Sequence, residues 1–148
     1  MKDYSKLAVN NFKQGYNCAQ SVFLTFADDI GFDRETALKL SSSFGAGMGR
    51  LREVCGAVTA MFAIAGLKHG YISPLDDNLK MKHYELIQKL AKSFESKFDT
   101  IICHELLGLP RGADSPQPSQ RTDSYYKNRP CEDFISFAAE VIEKELLN

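Results

Sequence analysis

Residues 44–70 read Phe44-Gly45-Ala46-Gly47-Met48-Gly49-Arg50-Leu51-Arg52-Glu53-Val54-Cys55-Gly56-Ala57-Val58-Thr59-Ala60-Met61-Phe62-Ala63-Ile64-Ala65-Gly66-Leu67-Lys68-His69-Gly70. The first part holds too much glycine for a stable helix interior, where each Gly costs about 1 kcal/mol relative to Ala. It reads as a tight, closely packed turn. From about Leu51 the pattern changes. Leu51, Cys55, Val58, Phe62 and Ala65 are spaced for one helical face, and Ala57, Met61 and Ile64 are apolar around the side. A helix that is apolar over most of its circumference belongs inside a protein. This stretch therefore predicts a central buried helix, weakened at its end by Gly66 and Gly70 and stopped at Ser73-Pro74.

The flanking chain continues in the same vein. Tyr4, Leu7, Ala8 and Phe12 mark a first helix that frays at Gly15. Asn17 can cap a second that carries Cys18, Ala19, Val22, Phe23 and Phe26 inward, and Asp33 a third running to about Ser43. Asp76 or Asp77 can start a long amphipathic helix to about Phe98. Its inward positions are Leu79, Leu86, Ile87, Leu90, Phe94 and Phe98, and its lysines form a solvated face. A short helix from Ile101 to Leu107 holds Cys103. Pro130 suits the first position of a last helix that presents Cys131, Phe134, Ile135, Ala138, Val141 and Ile142. Between these two, a loop at about 108–130 carries Pro110, Pro116 and Pro118 without apolar periodicity. Apolar/polar alternation and hairpin dipeptides are missing. The expectation is an all-α protein: one domain over residues 1–148, a helical bundle of about six or seven helices around a central buried helix.

Composition narrows the function. With 44% hydrophobic and 25% charged residues, the chain matches ordinary globular usage, which excludes collagenous and disordered classes. Eighteen Lys and Arg against nineteen Asp and Glu give a net charge of -1, so the total argues for neither nucleic acid nor a polybasic membrane surface. The longest apolar run, Ala57 to Leu67, is about half the roughly 20 residues of a membrane span. Asn10, Asn11, Lys13 and Gln14 interrupt any signal-peptide character near the start, so a cytoplasmic address is expected. In that compartment cysteines stay as thiols, which argues against structural disulfides.

Cys18, Cys55, Cys103 and Cys131 each fall on a different expected helix, on its inward face. No Cys-x-x-Cys pair is present, and four buried thiols acting as small hydrophobes would give the same pattern. Two placements point to chemistry. Cys18 and Cys131 fall in a first helical turn, where unpaired N–H groups favour thiolate, and Arg129 pushes Cys131 the same way. Arg50 and Arg52 beside the glycine-rich turn suit an oxyanion. Glu53 can pair with Arg50 at i,i+3. Arg111, Arg121, Lys127 and Arg129, with Tyr125 and Tyr126, equip the long loop to cover a site or dock a partner. His69, His83 and His104 are expected outside any ligand set. No strand precedes the Gly-x-Gly-x-Gly run, so a dinucleotide-binding reading fails.

Gly45-Ala46-Gly47-Met48-Gly49-Arg50 followed by Glu53-Val54-Cys55-Gly56-Ala57-Val58-Thr59 resembles the signature of the C_GCAxxG_C_C family. Tyr16-Asn17-Cys18-Ala19-Gln20-Ser21-Val22 is similar to its first cysteine segment, Cys103-His104-Glu105-Leu106-Leu107-Gly108 to its third, and Cys131 to its fourth. One departure is Ala60, where the family's motif has its second glycine. The resemblance implies redox activity in which Cys18, Cys55, Cys103 and Cys131 act together, as catalytic residues and as metal ligands. Gly47, Gly49 and Gly56 would let a cofactor approach the backbone. Three chemistries follow: an iron–sulfur cluster or other metal for electron transfer, a thiol–disulfide oxidoreductase, or a structural or adaptor protein with a zinc-stapled or reduced core, zinc being inert to redox. The first two imply a redox partner protein; neither nucleic acid nor a membrane span is expected, and the motifs leave the oligomeric state open.

Overall fold

The structure, a computed structural model, describes residues 1–147. It is built from α1 (Tyr4–Lys13), α2 (Cys18–Thr25), α3 (Arg34–Ser42), α4 (Gly45–Met48), α5 (Gly56–His69), α6 (Asp77–Phe98), α7 (Cys103–Leu107), α8 (Asp123–Asn128) and α9 (Cys131–Leu146). Local chemistry starts several of them. Asp3 accepts from the Lys6 N–H, Asp33 from Thr36 and Asp76 from Leu79. Asn17 and Gln20 exchange a complete capping box at the start of α2. Each such cap contributes about 1 kcal/mol.

The all-α class is as expected. Helices α1, α2, α5 and α9 pack on one another, α3 lies on α2, and α6 lies along α5 and α9. Phe12, Phe23, Phe26, Met61, Ile64, Leu90, Phe94, Ile135 and Ile142 are buried at their junction. At roughly 1.5–3 kcal/mol for each large apolar side chain withdrawn from water, this junction dominates stability. Among the described residues no helix is long and apolar enough to cross a membrane.

Two boundaries and several burials differ from the sequence reading. α5 begins at Gly56, so Leu51 lies outside it and is 52% exposed. The cause is backbone conformation: Arg50 and Arg52 have φ of 72° and 61°, which no right-handed helix allows. α5 is buried over Gly56–Val58, Ala60, Met61, Ile64 and Ala65, but Phe62 and Ala63 are half-buried and its last turn is exposed. In the stretch expected to be irregular, residues 123–128 form α8, capped by Thr122. Leu7 and Leu79, expected inward, are exposed, because α1 and α6 each show only one narrow stripe to the core.

Candidate functional site

Each of the four cysteines stands at a helix start. Cys18, Cys103 and Cys131 are the first residues of α2, α7 and α9, and Cys55 is the N-cap of α5. All four line one cavity of about 500 Å³. Helix starts expose N–H groups without intrahelical partners, and here they point their positive ends toward the region that the sulfurs occupy. The N–H groups of Ala46, Gly56 and Ala19 favour charge on Cys18, and those of Ala57 and Val58 favour it on Cys55. The first-turn positions of Cys18 and Cys131 are as expected from the sequence. That of Cys55 was hidden by the misplaced start of α5.

The glycine-rich turn arranges this meeting. Ala46, Gly47, Met48, Gly49 and Arg50 are successively left-handed, with φ between 56° and 72°. For a residue with a Cβ this conformation costs about 1–2 kcal/mol. The turn is held by Gly49 N–H to Gly45 O (2.7 Å) and Glu53 N–H to Gly47 O (3.1 Å). The chain then runs antiparallel to residues 101–104. Cys55 N–H donates to Ile101 O, Cys103 N–H to Glu53 O and His104 N–H to Arg52 O, so Cys55 and Cys103 share one short ladder.

Gly47 and Gly56 act by the room they leave. A Cβ on Gly56 would lie 2.4 Å from Cys18 Sγ and 2.9 Å from Phe44 O. One on Gly47 would lie 2.7 Å from Glu53 N and 2.8 Å from Cys103 Cβ. Gly49 and Gly56 line the cavity; Gly47 sits behind Cys103 and is absent from the lining.

The thiols titrate against the sequence expectation. Burial pushes the Cys18 thiol up despite those N–H groups, raises Cys55 well above the ordinary range, and takes Cys131 up to about 12. Neighbouring sulfur adds to burial. Cys18 feels Cys103, Cys55 feels Cys18 and Cys131, and Cys131 feels Cys18 and Cys103. Arg129 opposes the rise at Cys131, as its position suggested, and is outweighed. Desolvation of a charge exceeds what a helix terminus or one partly exposed cation returns.

All four cysteines are free thiols. Among the described residues no group of three or more His, Cys, Asp or Glu side chains is placed to hold a single metal ion. A tetrahedral zinc, with Zn–S of about 2.3 Å, would need the sulfurs drawn to one point. They instead line a shared cavity, and the donor set they offer is all thiol. His69, His83 and His104 do not line the cavity; His69 Nε2 lies 3.0 Å from Leu146 O.

Four arginines also line the cavity, and no carboxylate does. Arg52 is 4% exposed, with one guanidinium nitrogen 3.6 Å from Cys103 Sγ and the other 3.2 Å from Asp114. Arg50 pairs with Asp114 at 3.3 Å and reaches Ser115 O and Ser119 Oγ. The Arg50–Glu53 pair suggested by helical spacing is therefore replaced, because neither residue is helical. The Ser115 N–H, then the Arg52 and Arg50 guanidinium groups, hold the Asp114 carboxyl below the usual range. Arg121 donates to Phe12 O and Tyr16 O, each at 3.0 Å, and lies over the Phe12 ring. These bonds fasten residues 109–122 across the cavity, with Pro116 and Pro118 in its wall. The loop's basic and aromatic content signalled a covering role. Burial of Arg52 had no sequence signal.

A protein-family model described as "Putative redox-active protein (C_GCAxxG_C_C)" matches residues 16–145, from two residues before Cys18 to the last turn of α9. No curated protein and no solved structure matches the chain.

Proposed function

This chain belongs to the C_GCAxxG_C_C family, and from that premise we propose that Cys18, Cys55, Cys103 and Cys131 together hold an iron–sulfur cluster for electron transfer to a redox partner protein. One observation carries the reading: four cysteines far apart in sequence line one cavity, each at a helix start. A disulfide relay needs only two of them. Bound there, the cluster supplies a one-electron couple.

The chain's own groups prepare the site. As ligands the four thiols give up their protons; burial resists this at Cys18, Cys55 and Cys131, so binding the metal centre offsets their desolvation. N–H groups of Ala19, Ala46 and Gly56 support charge on Cys18, and Arg52 supports it on Cys103. Phe12, Leu106, Leu107 and Phe134 give the cavity apolar walls that limit water. Both features act on the potential through hydrogen bonding and solvent exposure.

Anaerobic reconstitution with ferrous iron and sulfide tests the proposal. The expected product has stoichiometric iron and sulfide, visible absorption that bleaches on reduction, and loses its iron in Cys55→Ser. Four thiols that remain titratable after reconstitution, with no chromophore, would overturn it. So would a colourless zinc complex, which belongs to the structural alternative, or one disulfide formed reversibly on mild oxidation of a protein that takes up no iron.

A further inference from the structure

We propose that the cysteine cavity also binds a small oxoanion, seated by Arg52 and Arg129 beside the sulfurs. The inference stands on the charge and hydrogen-bond inventory of the cavity and does not require a cluster.

Four guanidinium groups line the cavity, and Asp114, which pairs with Arg50 and Arg52 from outside the lining, offsets only part of their charge, so anions are drawn in. Two of these arginines are committed elsewhere. Arg121 donates to the carbonyls of Phe12 and Tyr16, and Arg50 to Asp114 and the loop oxygens of Ser115 and Ser119. The other two have donors to spare. Arg52 is 4% exposed, and its Nε meets no acceptor although its terminal nitrogens meet Cys103 and Asp114. A buried N–H without an acceptor is rare in native interiors and calls for one to be supplied. Arg129 lies 5.3 Å over the Tyr125 ring, an arrangement that orients the guanidinium without using its N–H groups.

The ligand class follows from donor shape. A guanidinium offers parallel N–H groups that match two oxygens of a phosphate, sulfate or carboxylate. Halide ions lack that geometry. A pocket of about 500 Å³ admits such an anion, and its place beside Cys103 and Cys131 makes the cavity a ligand site as well as a redox site.

The test uses the full-length, reduced, metal-free protein under anaerobic conditions, titrated calorimetrically with sulfate and with inorganic phosphate against a potassium chloride background. One saturable site per chain is expected. Arg129→Gln should weaken it about tenfold or more, since one charge-assisted contact is lost, and Arg129→Lys should weaken it less. Arg52→Gln should abolish it. Arg52 is buried, so its variant is first checked for native circular dichroism, and Arg129→Gln carries the test should that variant unfold. Lys92→Gln on the exposed face of α6 should bind like the parent protein. Absence of saturable binding, or unchanged affinity in a folded Arg129→Gln, overturns the inference. The same titration on Cys55→Ser separates the two readings. Anion binding retained where iron loading is lost supports an independent site, whereas anion binding lost in a folded Cys55→Ser counts against it.

Discussion

Residues 45–55 and 56–65 are adjacent, and both are rich in small side chains, yet they fold by opposite rules. The first stretch winds left-handed through Ala46–Arg50 and leaves Leu51 in solvent. The second is a right-handed helix whose Ala57, Val58, Met61 and Ile64 are wholly buried. In the turn, Gly47 makes room for Cys103; in the helix, Gly56 at the first position does the same for Cys18, and beyond it Ala57 and Ala60 let neighbouring helices approach. From Ala57 onward the helix is about stability, whereas the turn and Gly56 are about where sulfur sits.

Single substitutions should separate these two roles. The largest effect on stability is expected for Ile64→Ala in α5, about 2–5 kcal/mol, read from urea unfolding. Its iron loading after reconstitution should remain near that of the parent. Gly47→Ala should do the reverse in kind: a Cβ 2.7 Å from Glu53 N and 2.8 Å from Cys103 Cβ, on a residue with φ of 66°, predicts about 1–3 kcal/mol of destabilisation together with loss of iron loading. If it loads iron normally, the turn is not what positions Cys103. Gly56→Ala should cost about 1–3 kcal/mol and displace Cys18, so alkylation of Cys18 in the reduced protein should change rate.

Ala60→Gly restores the family's second glycine inside α5. It should cost about 1 kcal/mol by helix propensity and leave the sulfur site alone. An increase in iron loading would mean that this turn of α5 also governs access to the cavity. The smallest effect should come from α3, which belongs to neither stretch. Hydrogen bonds from Thr36 hold the Asp33 carboxyl below the ordinary aspartate range. Its cap contribution is therefore present above the unfolded-state pKa and lost as pH falls through the depressed folded value. Thermal unfolding of Asp33→Asn should match the parent near neutrality and fall less steeply in acid. Parallel pH profiles would remove Asp33 from the acid response.

Legibility follows the same division. Asn17, Asp33 and Asp76 were readable as caps because each acts on an N–H three residues away. The phase of α9 was readable because Phe134, Ile135, Ala138, Val141 and Ile142 keep a helical period. The start of α5 lies later than the spacing predicts, since an apolar pattern that includes Leu51 and Cys55 matches a helix while the left-handed Arg52 between them leaves no mark on that period. Arg52 was even less accessible to sequence reasoning. Its partners Cys103 and Asp114 lie 51 and 62 residues away, and nothing local marks an arginine for burial. The family motifs link the four cysteines in sequence, whereas their shared position at helix starts exists only in the folded chain.

The wall formed by Pro116, Pro118 and Ser119 is irregular chain, whereas every sulfur is carried at a helix start. Surface connections tolerate changes in length far better than packed elements do. Lengthening the stretch 116–118, which leaves Asp114 and Ser115 in place as partners of Arg50 and Arg52, is thus a way to redraw the doorway while the room keeps its furniture, and libraries confined to those positions could retune what gains admission without refolding the bundle.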